Sequence, residues 1–169
     1  NKNYKKTDTL ESFLVAKEII DGEIITFYAD VIFEEEILDN ILKLNNFDIT
    51  LSIQKGKCEK DDMKTFVVHD IVKRVDKNLE EKLSNSKYCG IAKFSKKGSK
   101  MFRETIEKFE NNNSIEGDVS KVFEEIIKEG FPISASFTNN CIWVNVNTLN
   151  AFKMMGVNII ENDNKIIVE

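Results

Sequence analysis

The stretch Ile24–Glu34, Ile-Ile-Thr-Phe-Tyr-Ala-Asp-Val-Ile-Phe-Glu, constrains the fold more than any other part of the chain. It is a largely apolar run broken by one acid, Asp30. A continuous apolar run bounded by polar residues predicts a strand covered on both faces, as in a parallel sheet. Asp30 then stands at the carboxyl end of that strand, where open α/β sheets bind their ligands. A carboxylate there can hold a metal or a proton. An ordinary Asp opening a loop has the same local sequence.

The flanking segments place this strand among helices. Asp8 is suited to cap a helix over Thr9–Ile20, and Asp21-Gly22 stops it. A second helix is predicted over Glu34–Leu44, with Ile37, Leu38, Ile41 and Leu42 inward. Ile49, Leu51 and Ile53 alternate with Thr50, Ser52 and Gln54, which predicts a half-buried strand. Two short strands, Thr65–Val68 and Ile71–Val75, flank His69-Asp70 as a hairpin. Tyr88–Phe94 is a further strand, after which Ser95 caps a helix to Asn111. Asp118 or Ser120 caps another helix that ends at Gly130. Ile133–Phe137 and Ile142–Val146 are strands, Thr148–Met155 a short helix, and the last residues a hairpin around Glu161–Asn164. Mostly alternating elements predict an α/β fold with a mixed, mostly parallel sheet flanked by helices. Residues 1–155 are expected to form one unit and residues 156–169 a terminal hairpin or the start of a following segment.

Composition narrows the function. At 169 residues the chain is long enough for a domain with a real core, and 12 phenylalanines supply volume for it. The net charge of −5, with acids and bases interspersed, offers no basic stripe for nucleic acid. No apolar run reaches the roughly 20 residues that cross a bilayer. Cys58, Cys89 and Cys141 are odd in number and widely spaced, which argues against a disulfide framework and a zinc site. A reducing cytoplasm is the expected compartment. His69 is the only histidine and has no visible Ser or Cys partner, so a turn residue is the simpler reading.

The second segment that can carry chemistry is Trp143-Val144-Asn145-Val146-Asn147. Strand alternation puts Asn145 and Asn147 on one side. If that side meets Asp30, three oxygen ligands converge. Such a set suits Mg²⁺, which takes one or two carboxylates together with substrate phosphates.

Four pieces, in this order, resemble a known family. They are Tyr4…Thr7-Asp8…Ser12, Phe27-Tyr28-Ala29-Asp30-Val31-Ile32-Phe33, Tyr88-Cys89-Gly90-Ile91-Ala92-Lys93-Phe94-Ser95, and Trp143–Asn147. The chain resembles the Rossmann-like nucleotidyltransferases of the GT-A type. It looks most like the phosphocholine-type cytidylyltransferases and the similar domains attached to phosphoenolpyruvate mutase. The resemblance implies Asp30 as the Mg²⁺ ligand and catalytic residue, with Asn147 and Asn145 as further metal ligands. The family usually places acids at those last two positions. Tyr88 and Gly90 are implied to line the substrate pocket, and Trp143, next to the Asn pair, either contacts the substrate or packs. The implied partners are a nucleoside triphosphate, CTP first, and a small phosphorylated or phosphonate acceptor. A sugar-1-phosphate nucleotidyltransferase and a relative that binds without turnover are the alternatives. The family's opening Gly-rich loop and Pro-Lys have no counterpart here. The resemblance therefore implies that the first half of the fold lies upstream of Asn1 or is supplied separately.

Overall fold

The computed structural model describes residues 1–2, 5–114 and 116–146, and the backbone of 159–162 and 165–168. The first part of the chain forms α1 (Thr9–Val15), a 3₁₀ turn (Lys17–Ile19), β1 (Ile24–Phe27), β2 (Val31–Phe33) and α2 (Glu35–Lys43). β3 (Ile49–Lys55), β4 (Lys64–Val68), β5 (Ile71–Val75) and β6 (Ser86–Phe94) follow. Then come α3 (Lys96–Asn111), α4 (Ser120–Lys128), β7 (Ile133–Phe137) and β8 (Trp143–Asn145). β9 (Ile159–Asn162) and β10 (Lys165–Val168) pair as an antiparallel hairpin. The predicted helix Thr148–Met155 lies outside the described residues. Among the described residues no helix is long and apolar enough to cross a membrane.

Six strands form one mixed sheet in the order β1-β6-β3-β7-β5-β4. β4 also pairs with the start of β6, through Lys64 opposite Lys87 and Thr65 opposite Ser86, so the sheet curls back on itself there. β3 and β7 run parallel, and the other pairings are antiparallel. Hairpins and short loops join antiparallel neighbours, whereas a parallel pair needs a long crossover. Here that crossover from β3 to β7 contains α3 and α4. Helices cover both faces, as the α/β pattern predicts.

Alternation along β6 separates two cores. Tyr88, Ala92 and Phe94 face α1, α3 and α4, together with Leu10, Phe102 and Phe123. Ile91 faces the other side, with Ile37 and Ile41 of α2. Phe94 and Phe102 have ring centroids 4.8 Å apart, and Phe13 meets Phe102 edge-on at 5.2 Å. Each fully buried ring contributes roughly 2–3 kcal/mol, so this aromatic cluster is a main anchor of α3.

The structure changes four expectations. The sheet is mixed, as expected, but with β3–β7 as its one parallel pair among the described residues it is mostly antiparallel and not mostly parallel. The run Ile24–Glu34 is not one strand covered on both faces. It divides into β1, at the end of the main sheet with β6 as its partner there, and β2, which pairs with β8 in a separate ribbon. Ile24 and Tyr28 pack on the first core, and Ile25 and Phe33 on the second. Phe27 stacks on Phe33 at 5.8 Å and stays 47% exposed. Residues serving two cores in turn look, in sequence, like a central strand. β3, expected to be half-buried, is instead covered on both faces from Ile49 through Ile53, as are stretches of β6 and β7. Thr50 fits because its hydroxyl and that of Ser134 bond each other at 2.7 Å, whereas the buried Ser52 hydroxyl has no partner among the described residues. Finally, α2 faces Ile37 and Ile41 inward but leaves Leu42 45% exposed.

Ser95 caps α3 as predicted. Its Oγ accepts from Gly98 N–H at 3.0 Å and donates to Asp48 Oδ1 at 2.7 Å. That donated bond holds the Asp48 carboxyl below its ordinary value, with Lys97 assisting and partial burial opposing. Ser95→Ala should therefore lower stability by about 1 kcal/mol at pH 7. A depressed carboxyl stabilises the fold above its unfolded value and loses that contribution as pH falls through the folded one. The gap between wild type and variant should narrow below pH 3.8 in urea unfolding curves.

Candidate functional site

A β-bulge organises the site. β6 and β3 are in register at Ala92 opposite Leu51 and at Tyr88 opposite Ile53. Between these pairs β3 has one residue and β6 has three, Cys89, Gly90 and Ile91. The extra residues re-aim the strand, as bulges beside functional sites do. Gly90 has φ +76°, and a Cβ there would lie 2.7 Å from Cδ2 of Tyr28. Glycine thus meets both the left-handed backbone and the close approach of the tyrosine. The bulge leaves the Gly90 carbonyl to accept Tyr28 N–H at 2.9 Å and the Cys89 carbonyl to accept Trp143 Nε1–H at 2.8 Å.

After Tyr28 the chain turns at Ala29-Asp30 into β2. The Asp30 carbonyl accepts Val146 N–H at 2.7 Å, and Val31 lies opposite Asn145. The register thus sets Asn145 opposite Val31, one residue beyond Asp30. Asp30 and Asn145 line one cleft of about 840 Å³ together with Tyr88, Gly90 and Trp143. Five of the six residues singled out in the sequence converge there. Asn147 lies outside the described residues.

The charged groups of the cleft differ in how they are engaged. Asp8 accepts Thr9 N–H, Asp118 accepts Ser120 N–H, and Asp62 accepts Glu59 N–H, each at 2.7 Å. Asp62 also pairs with Lys87 at 3.2 Å, and Lys87 Nζ stands 5.6 Å from the centre of the Trp143 ring. Lys64 is buried and donates to the Lys60 and Lys77 carbonyls at 2.9 and 2.8 Å. Among the described residues no donor bonds the Asp30 carboxylate. Asn145 Oδ1 is buried and has no hydrogen-bond partner among the described residues.

These features bear on whether the site suits a hard cation. Among the described residues no cluster of three or more His, Cys, Asp or Glu could hold a metal. Mg²⁺ needs only one or two carboxylates when substrate phosphates complete its shell. A carboxylate with no donor among the described residues and an orphaned amide oxygen in the same cleft fit that pattern, and Asp30 and Asn145 would each offer one oxygen.

The floor of the cleft is held neutral. Burial, followed by the charge of Asp118, raises the Tyr28 phenol, and burial raises that of Tyr88. Their rings meet edge-on at 5.7 Å. Burial also pushes the Cys89 thiol up to about 12. Raised this far from 9.0, it carries roughly a thousandfold less thiolate at a given pH. Iodoacetamide at pH 8 should label Cys89 at least ~10²-fold more slowly in the native protein than in urea. Mass spectrometry of differentially labelled peptides measures this.

Some cleft residues escaped the sequence reading. Tyr28 had a signal, because alternation puts it on the same side as Asp30. Lys77 had none, since the polar stretch around it reads as exposed loop. Met63 precedes a strand and gives no sign of facing a cleft.

No protein-family profile matches the sequence, and no curated protein sequence matches it. Solved structures do resemble it. The inositol-1-phosphate CTP transferase from T. maritima has a TM-score of 0.69 and 16% identity, covering 83% of this chain and 56% of that one. A glucose-1-phosphate thymidylyltransferase from Bacillus anthracis, in complex with a sucrose, gives 0.67 and 13%, covering 88% and 59%. CTP:phosphocholine cytidylyltransferase from Streptococcus pneumoniae gives 0.64 and 12%, covering 92% and 65%. The chain has the fold of a corresponding part of these proteins, and spans 56–65% of their length.

Proposed function

We propose that this chain forms part of a nucleotidyltransferase that moves a nucleoside monophosphate, CMP first, from a triphosphate to a small phosphorylated or phosphonate acceptor. The observation that carries this is that Asp30 and Asn145, whose Oδ1 is orphaned, line one cleft together with Tyr88 and Gly90. The fold shared with three nucleotidyltransferases supports it, and two of the three are named for CTP. A sugar-1-phosphate acceptor is the second reading. Two of those proteins are named for inositol-1-phosphate and glucose-1-phosphate.

In the reaction, a phosphate or phosphonate oxygen of the acceptor attacks the α-phosphorus in line, and pyrophosphate leaves. Mg²⁺, when bound, supplies charge neutralisation at the phosphates. Asp30 and Asn145 would hold it, with Asn147 as a further ligand. Tyr28, Tyr88 and Trp143 form a partly apolar wall that excludes water and orients the acceptor. Gly90 keeps that wall flat by leaving room for Tyr28. The protein's share of the chemistry is positioning and electrostatics. A reducing cytoplasm suits three unpaired, buried thiols.

The test uses the full-length protein with Mg²⁺. Pyrophosphate is measured with CTP, UTP or dTTP against phosphocholine, a phosphonate, inositol-1-phosphate and glucose-1-phosphate. Release that needs both triphosphate and acceptor is expected, and the preferred pair identifies base and acceptor. Calorimetric binding of CTP with no release for any acceptor would replace catalysis with a binding role.

A further inference from the structure

The strands β2 and β8 form a ribbon apart from the six-stranded sheet. Asn145 rides on this ribbon, and Asp30 opens it. Two strands alone are marginally stable in water, so what fastens the ribbon to the sheet also sets where Asn145 sits. Bonds between Glu34 and Ile142 close the ribbon internally, Glu34 N–H to the Ile142 carbonyl at 3.0 Å and Ile142 N–H to Glu34 Oε2 at 2.7 Å. Neither reaches the main sheet. Trp143 does. Its indole N–H meets the Cys89 carbonyl that the β6 bulge exposes, 54 residues away in sequence. Its ring packs on the core around Ile91 and Cys141, and Lys87 stands beside it.

We infer that Trp143 is a positioning residue, whose indole N–H clamps the ribbon to the β6 bulge and so holds Asn145, with Asp30 at the ribbon's start, over the floor of the cleft. The sequence leaves this tryptophan between a substrate contact and packing. In the structure its polar atom is already engaged by the backbone, and its ring is shared between cleft and core. The clamp places the bulge residues that floor the cleft and the ribbon that carries the oxygen ligands in one rigid unit. This hydrogen bond joins the packing of Phe33 and of the Trp143 ring in coupling the two. The consequence for cation binding rests on the function proposed above; the clamp itself does not.

Trp143 is the only tryptophan. Biosynthetic replacement by β-(3-benzothienyl)alanine therefore changes one N–H to sulfur at one place and keeps the ring's shape. In the full chain without metal, amide exchange at Glu34 and Val146 should accelerate at least tenfold, while amides of β3 and β7 keep their protection. Mn²⁺ affinity, read by electron paramagnetic resonance, should fall about tenfold. Trp143→Phe should behave alike, with thermal unfolding reporting whether it is folded. Unchanged exchange at Glu34 and Val146 overturns the clamp. A loosened ribbon with unchanged Mn²⁺ affinity overturns its role in placing Asn145. If the unsubstituted protein binds no Mn²⁺, the metal reading fails, and exchange alone decides the clamp.

Discussion

Asp30→Ala should lower pyrophosphate release by about 10³-fold, the loss expected when one preorganised charge-stabilising group is removed. The reason lies in what surrounds Asp30. Three other cleft acids are engaged as caps or partners, Asp8, Asp62 and Asp118. Removing any of those disturbs local structure. The Asp30 carboxylate has no donor among the described residues, so its removal leaves nothing unsatisfied. Thermal stability should therefore stay within about 0.5 kcal/mol of wild type, the range of a substitution away from structural features. Asp30→Asn keeps the shape and removes the charge. It should fall almost as far, and the residual activity should need more Mg²⁺. Activity that survives both substitutions at the wild-type Mg²⁺ requirement would remove Asp30 from the chemistry. A collapse in stability would instead assign it a structural role.

Gly98→Ala should destabilise the protein by about 3 kcal/mol, the upper part of the usual overpacking range. For a chain of this size that is a fall of roughly 6–12 °C in Tm. On an exposed helix surface the same change stabilises by roughly 0.5–1 kcal/mol, so the sign alone is informative. Gly98 is in the first turn of α3, and a Cβ there would lie 2.0 Å from the Asp48 carbonyl oxygen. The obstacle is backbone, and that same carbonyl accepts Ser95 N–H at 2.8 Å. The helix cannot withdraw without losing this bond and the Ser95 cap. Calorimetry measures the change; equal or higher Tm would mean that α3 can shift away from Asp48 at little cost.

Local chemistry made much of this fold legible. Ser95 announces α3 by its hydroxyl, and Gly130, with φ +89°, ends α4 as a C′ residue should. His69 and Asp70 have φ of +48° and +60°, a two-residue turn that ties β4 to β5. What sequence could not supply was the partner of each strand. Glu34 and Ile142 are 108 residues apart, and no periodicity reports that they meet. The division of Ile24–Glu34 into two strands follows from that distant pairing, which is why the run reads as one element. Asp30, Tyr88, Gly90, Trp143 and Asn145 were legible because residue type and motif order carry chemistry. Their geometry depends on the bulge at Gly90, whose positive φ has no local signature beyond a glycine in a strand.

The place of β3 in the sheet has a consequence for synthesis. β3 lies between β6 and β7, and Thr50 must wait for Ser134, 84 residues later. At ~5–20 residues per second, that wait is on the order of ten seconds. During it β6 can already pair on one side, while the other margin of Ile49–Ile53 has no strand to bind. A nascent chain at this stage presents an unpaired apolar edge, the feature that invites association with other chains. Demand for a chaperone should therefore peak between emergence of β6 and emergence of β7, and ribosome-bound chains arrested after Phe94 should bind one more strongly than chains arrested after Phe137.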